Sequence, residues 1–262
     1  MEPDRTAAVV IEVKDYGESD KIVTFFSLDR GRMSGIAKGA KRSLRRFVNK
    51  LELFTLLEIY FTDSRSSSLV RLDQADLLDH FPLLRSDYTR YTGGILLCEL
   101  LLHWTRENDP DANLFGLLKW GLANLDDPQR SLLWVAVIFQ LKLFTLLGYQ
   151  PQFSGCVNCG GISPSLAPFR FRPALSGLIC ANCGRNHRFG TSSPQGLTIS
   201  LSTIKLLQKA QEMEPAKISR LCFSPREERE AALLLRAYGN NILQREILAW
   251  EQLLAITEIP TP

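Results

Sequence analysis

Histidine and methionine are scarce in this chain of 262 residues, with three of each. The histidines stand at positions 80, 103 and 187, too scattered to form a catalytic or metal-binding constellation in sequence. No Walker A loop, G-x-G-x-x-G, G-x-S-x-G or H-E-x-x-H is present, and the cysteine pairs lack the H-x-E partner that a zinc deaminase needs. The expectation is therefore a protein that is not an enzyme. Long apolar runs are missing as well. The longest, Leu132 to Phe139, falls far short of a membrane span. The first residues, Met1-Glu2-Pro3-Asp4, show no basic region before an apolar stretch. A cytoplasmic location without a membrane partner is expected.

Acid is absent from two long stretches. Between Arg30 and Leu51 there are eight basic residues and no Asp or Glu. From Pro128 to Gln211 there is again no acid, although Arg130, Lys142, Arg170, Arg172, Arg185, Arg188, Lys205 and Lys209 occur. A net charge of only +3 thus hides a segregated distribution that permits basic surface patches. With 45% hydrophobic and 23% charged residues the composition is that of a globular chain, long enough for one large domain or two to three small ones.

Residues 6 to about 78 read as β. Ala7, Val9, Ile11 and Val13 alternate with their neighbours. Lys21 to Leu28, Met33 to Ala37, Leu51 to Thr62 and Leu69 to Leu72 are further strand-like runs, separated by turn signals such as Asp29-Arg30-Gly31-Arg32. Five short strands in this length suit a small closed barrel of the OB type, with a plain antiparallel sheet as the alternative. From Pro82 the pattern becomes helical, and Arg130 to Leu147 is apolar enough for a buried central helix ended by Gly148. Ser224-Pro225-Arg226-Glu227 is a helix-start signature. The expected fold is multidomain α+β. An OB domain spans 1–80, a helical domain covers 81–149 and 196–262, and a small module at 150–195 interrupts it.

That module holds Cys156-x-x-Cys159 and Cys180-x-x-Cys183. Two such pairs are the spacing of a zinc site, because each pair forms a tight knuckle aiming two thiolates at one ion. Four thiolates leave no open position, so the ion would be structural. Gly160 and Gly184 follow the second cysteine of each pair, where positive φ lets backbone N–H groups approach sulfur. Two disulfides or free thiols are the alternatives. His187 reads as a surface residue, and Cys98 and Cys222 as core packing. Arg170, Arg172, Arg185 and Arg188 flank the cysteines and belong either to a nucleic-acid contact or to an ordinary solvated loop.

In the N-terminal basic stretch, Lys38, Lys41, Arg42, Arg45 and Arg46 repeat at helical spacing, with Leu44, Phe47, Val48 and Leu51 on another face. A helix over Ala40 to Asn49 would dock one side and present five cations on the other. With Arg30, Arg32 and Lys50 nearby, this stretch is the candidate phosphate-binding surface. Phe25, Phe26, Phe47, Phe54, Tyr60 and Phe61 offer base-stacking platforms, although a small barrel must spend most of them on its core.

The run Tyr16-Gly17-Glu18-Ser19-Asp20-Lys21-Ile22-Val23, then Gly31-Arg32, then Ala37-Lys38-Gly39-Ala40-Lys41-Arg42, resembles the start of the bacterial RecO recombination mediators. Leu146-Leu147-Gly148-Tyr149-Gln150-Pro151 followed by Cys156-x-x-Cys159-Gly160 is similar to that family's entry into its zinc module. The order of segments matches over essentially the whole chain. The resemblance implies an OB domain, a helical domain and a four-cysteine zinc module. It implies binding and annealing of single- and double-stranded DNA, work with RecR and single-strand-binding protein to load RecA recombinase, and a nucleoid-associated place in the cytoplasm. It places the basic OB surface on Lys38, Lys41 and Arg42, whereas Arg45 and Arg46 rest on charge alone. It also implies a groove for a partner's acidic tail, for which Arg130 and Lys142 are the candidates. The rival readings are a zinc-stabilised protein-interaction scaffold that does not touch DNA, and a metal-dependent hydrolase.

Overall fold

A computed structural model describes residues 3–43, 45–64, 67–185 and 196–258. The chain divides into two compact units, Met1–Arg130 and Ser131–Pro262. The first unit therefore contains helices as well as the barrel. The stretch 81–149, expected as one helical segment, is shared between the units.

Five strands close the barrel: β1 (Asp4–Tyr16), β2 (Asp20–Ser27), β3 (Gly31–Ala37), β4 (Leu56–Thr62) and β5 (Val70–Asp79). Their order is β1-β2-β3-β5-β4, with β4 pairing back onto β1. All pairings are antiparallel except β3 with β5. This is the OB arrangement. β1 is long because it serves two neighbours. Its first half pairs with β4 and its second half with β2, and a register shift between Val10 and Glu12 bends it around the barrel. The interior is built from alternate residues such as Ala8, Val10, Val23, Phe25, Leu57, Ile59 and Phe61.

Two boundaries differ from those expected. β4 starts at Leu56, not at Leu51, because Phe54 takes a positive φ of 68° that a strand cannot continue through. β5 runs on to Asp79, well past Leu72.

Helices α1 (Pro82–Ser86), α2 (Tyr88–Trp104) and α3 (Ala112–Leu125) complete this unit. Asp87 and Asp111 cap α2 and α3 by accepting from backbone amides of the first turn. The α2 surface meets the barrel at Gly94, where an added Cβ would come within 2.9 Å of the Phe54 ring. Tyr91 packs edge-on against the same ring, with centroids 5.1 Å apart. Arg85 donates to Leu53 O and to Thr55 Oγ1.

In the second unit the central helix α4 (Leu132–Leu146) is buried on nearly every side, as its uninterrupted apolar sequence requires. Gly148, at φ 79°, turns the chain just past the end of α4. A four-stranded sheet follows, in the order β6 (Gln152–Cys156), β8 (Gly177–Ile179), β7 (Phe169–Arg172), β9 (Leu197–Ile199), with α5 (Ala181–Arg185) between β8 and β9. Helices α6 (Leu201–Glu212), α7 (Pro215–Ile218), α8 (Pro225–Leu243) and α9 (Leu248–Glu258) complete the unit. Ser224 and Glu227 form the reciprocal capping box at the start of α8. The small sheet has more apolar mass than its composition suggested. Phe153, Phe169 and Phe171 are buried, and Phe171 meets Tyr238 of α8 edge-on at 5.5 Å.

Candidate functional site

The cationic stretch is an anchored loop, not the helix expected over Ala40 to Asn49. A single 3-10 turn covers Ala40–Arg42, and the chain then proceeds by bends and turns. Ser43, at φ −73° and ψ 123°, is extended and ends the turn, where a helix over Ala40 to Asn49 would have to continue. The apolar residues at helical spacing are instead anchors: Phe47 and Leu51 belong to the barrel core. Backbone contacts hold the near end. The Asp20 carboxylate accepts from Gly39 N–H at 2.8 Å, and Lys41 N–H donates to Ser19 O at 2.9 Å. The Gly39 bond, helped by the Ser19 hydroxyl, keeps the Asp20 carboxyl below its ordinary range.

The eight candidate cations separate into two sets. Lys38, Lys41, Arg42, Arg45 and Arg46 are exposed on the loop, whereas Arg30, Arg32 and Lys50 are half-buried. The half-buried three are occupied by the protein itself. Arg30 lies 3.0 Å from both Asp4 and Asp63, and its pKa is raised, chiefly by the Asp63 hydrogen bond. Arg32 donates to Leu102 O at 2.5 Å. Lys50 donates to Ala75 O at 2.6 Å and sits 3.6 Å from Asp76. These three side chains brace the unit.

On the exposed set, Lys41 pairs with Asp15 at 3.0 Å and Arg42 with Glu18 at 3.8 Å. Such exposed pairs are weak and exchangeable. Arg46 lies over the Phe47 ring at 5.1 Å and donates to Lys38 O at 3.3 Å. Among the described residues, no carboxylate lies within ion-pair distance of Lys38, Arg45 or Arg46. Five of the six stacking candidates, Phe25, Phe26, Phe47, Phe54 and Phe61, are buried, whereas Tyr60 is half-buried with its hydroxyl donating to Glu58.

In the second unit, the Sγ atoms of Cys156, Cys159, Cys180 and Cys183 all lie within 4.8 Å of one another, with Cys159 and Cys180 at 3.9 Å. A tetrahedron with metal–sulfur bonds of about 2.3 Å has edges of about 3.8 Å, so the donor set fits one such ion. Each pair is a knuckle closed by a backbone bond: Gly160 N–H to Cys156 O at 2.7 Å, and Gly184 N–H to Cys180 O at 2.9 Å. Gly160 has the expected positive φ of 74°, but Gly184 does not, because its turn is part of α5. Cys183 N–H points at Cys180 Sγ at 3.5 Å, and the Asn158 amide at Cys183 Sγ at 3.3 Å. Burial pushes the Cys156 thiol up, but backbone donors around it outweigh that and bring it to about 6. At Cys183 the Asn158 donor favours the thiolate, yet Cys180, burial and the remaining thiols push it up to about 12. Four sulfurs this close ionise together only with a cation among them.

The other candidates fall elsewhere. Lys142 is buried and donates to Gln211 O at 2.9 Å and Met213 O at 2.5 Å. Its ammonium closes the C-terminal end of α6. Arg130 lies 3.6 Å from Asp127. Cys98 is in the core as expected, but Cys222 is exposed, because it sits in the turn ahead of α8. His187 and Arg188 lie outside the described residues. The bracing role of Arg30 had no sequence signal, since its partners are distant in the chain.

A closed OB barrel with a cationic loop, in one chain with helices that carry a four-thiol knuckle pair, defines a class of small multidomain OB proteins. Residues 1–81 match the family model for Recombination protein O N terminal, and residues 85–251 match Recombination protein O C terminal. The chain belongs to the Recombination protein O family. It is 30% identical to the DNA repair protein RecO of Syntrophus aciditrophicus (strain SB), over 93% of this chain and 92% of that one. It is 35% identical to the Myxococcus xanthus (strain DK1622) DNA repair protein RecO, over 77% and 80%. With the protein of the same name from Anaeromyxobacter dehalogenans (strain 2CP-1 / ATCC BAA-258) it shares 32% identity over 95% of both chains.

Proposed function

We propose that this chain is a non-enzymatic mediator of recombinational DNA repair that grips the nucleic-acid backbone through the 38–46 loop. The observation that carries this reading is the set of five exposed cations on one loop, fixed in place by Phe47 and Leu51 beneath it. Backbone contacts of this kind give affinity with little sequence choice and a strong dependence on salt. Because charge is screened while base edges stay free, strands held this way can pair, which accounts for annealing of single- and double-stranded substrates. RecR and single-strand-binding protein are the expected partners, RecA recombinase the eventual beneficiary, and the nucleoid-bearing cytoplasm the location. No helix of the described residues is long and apolar enough to cross a membrane.

The test is binding of a fluorescent single-stranded oligonucleotide by anisotropy, across a salt series. Arg45→Glu with Arg46→Glu is expected to weaken binding and flatten the slope of log K against log salt by about 1.4, near 0.7 for each phosphate no longer neutralised. An unchanged slope would falsify the loop as the site.

The cysteine cluster is assigned to a structural Zn2+. Cys156→Ser with Cys180→Ser is expected to abolish bound metal and loosen the β6–β9 sheet, since the site's binding energy is folding energy. Stoichiometric metal in that double variant would reject the assignment.

A further inference from the structure

Between β7 and the second knuckle of the cysteine cluster lies a cavity of about 320 Å³. It is lined by Arg170 and Arg172 of β7, by Arg185 of α5, and by Pro168, Ile179, Ala181, Gly184 and the metal-site residue Cys180. Strand alternation places the arginines. Phe169 and Phe171 turn into the core, so Arg170 and Arg172 share the opposite face, about 7 Å apart along the strand. Gly196, at φ 140°, fits between their stems. An added Cβ there would lie 3.3 Å from both Arg170 Cβ and Arg172 Cγ and 2.9 Å from Phe171 O. Arg185 donates to two neutral oxygens, Ala181 O and Asn182 Oδ1. No acid occurs in the sequence from 128 to 211, and none lines the cavity among the described residues.

We propose that this cavity is a second nucleic-acid contact, taking one nucleotide of a single strand with its base on the apolar floor and its phosphates against Arg170 and Arg172. The volume lies at the lower end of small-ligand sites, which suits a single nucleotide. The apolar lining supplies what a phosphate-only contact would not need. Guanidinium planes stack on bases as well as pairing with phosphate, so arginine suits both parts of the ligand. A cation row along an extended strand matches an extended polyanion better than a compact acidic peptide. The inference rests on the DNA-binding reading given above and adds to it a site in the other compact unit. Two separate contacts on one chain would let it hold two strands.

The competing explanation is that the arginines only balance a doubly negative zinc tetrathiolate. The experiment uses the full-length, zinc-loaded protein and a fluorescent oligothymidylate. Arg170→Gln with Arg172→Gln is expected to keep stoichiometric zinc, lose affinity several-fold and lower the salt slope by about 1.4. In wild-type protein, photo-crosslinking to 5-iododeoxyuridine in the same oligonucleotide is expected to label the segment from Pro168 to Arg185. An unchanged slope with no label in that segment overturns the proposal, and loss of zinc alone assigns the arginines to charge balance. An oligoglutamate peptide that displaces the label at matched charge would show a site blind to nucleotides, which also overturns it. If Arg45→Glu/Arg46→Glu abolishes binding while the β7 pair has no effect, this site fails and the loop stands. If the wild-type protein binds no oligonucleotide, both readings fail.

Discussion

At the scale of single residues, a candidate charge is informative only once its surroundings are known. Lys142 reads in sequence as a cation stranded on an apolar helix, and it is in fact the donor that satisfies two carbonyls at the end of α6. Lys142→Ala is expected to leave those carbonyls unpaired and cost about 1–3 kcal/mol in urea unfolding, with no change in oligonucleotide affinity. Burial holds the Lys142 pKa below its usual 10.5. The unfolded chain therefore binds this proton more readily, so wild-type stability rises with pH between the lowered value and 10.5. The gap between wild type and Lys142→Ala should widen over that window, and a constant gap would mean that the group does not titrate as its burial requires. Arg30 teaches the same lesson from the opposite side. Nothing in the acid-free run around it reveals that Asp4 and Asp63 converge on its guanidinium. Long-range pairing is a property of barrel closure, and local sequence carries no record of it.

At the scale of elements, regular spacing was a sound guide in most places and misleading in one. The alternation at residues 7 to 13 became β1, the cap at Ser224 became the start of α8, and the two C-x-x-C pairs became a four-sulfur cluster. The stretch from Ala40 to Asn49 has helical spacing too, but its period arises from two anchors, Phe47 and Leu51, that plug the barrel from a turn-rich loop. The extended backbone at Ser43 breaks the helical course, and the Asp20 carboxylate that secures Gly39 at the loop's start comes from another strand. The loop's order should therefore depend on its plug. Phe47→Ala is expected to cost about 3–5 kcal/mol by leaving a core cavity. In the folded fraction it should also weaken oligonucleotide binding, although no cation is altered. Chemical denaturation and anisotropy at matched folded fraction check both halves, and full-strength binding would show that the loop needs no anchor.

For the whole molecule, the division after Arg130 matters more than the barrel's own end near residue 80. A barrel cut at 80 would lose Tyr91 and Gly94 from the Phe54 ring, Arg85 from the 53–55 turn, and the Leu102 carbonyl from Arg32. Removing those partners exposes a large aromatic and strands buried polar groups. Residues 1–130 are therefore expected to give a dispersed amide spectrum and a cooperative melt, and residues 1–80 to aggregate or melt without cooperativity. A well-folded 1–80 fragment would show that α1–α3 are dispensable to the barrel. This dependence was not visible in the sequence, because the shift from strand to helical periodicity at Pro82 marks a change of element type and carries no record of the contacts made across it.

The barrel is closed by a narrow seam, the parallel pairing of Gly35 with Val70 and Ile36 with Arg71. The chain between β3 and β5, which carries the cationic loop and β4, separates those two short stretches. Closing so long a loop carries an entropic cost that later contacts must repay. The loop's residues leave the ribosome before the strand that completes the wall beneath them. A nascent chain thus carries its positive charges for a time without a surface to display them on, and the closed wall beneath them arrives only when synthesis has passed β5.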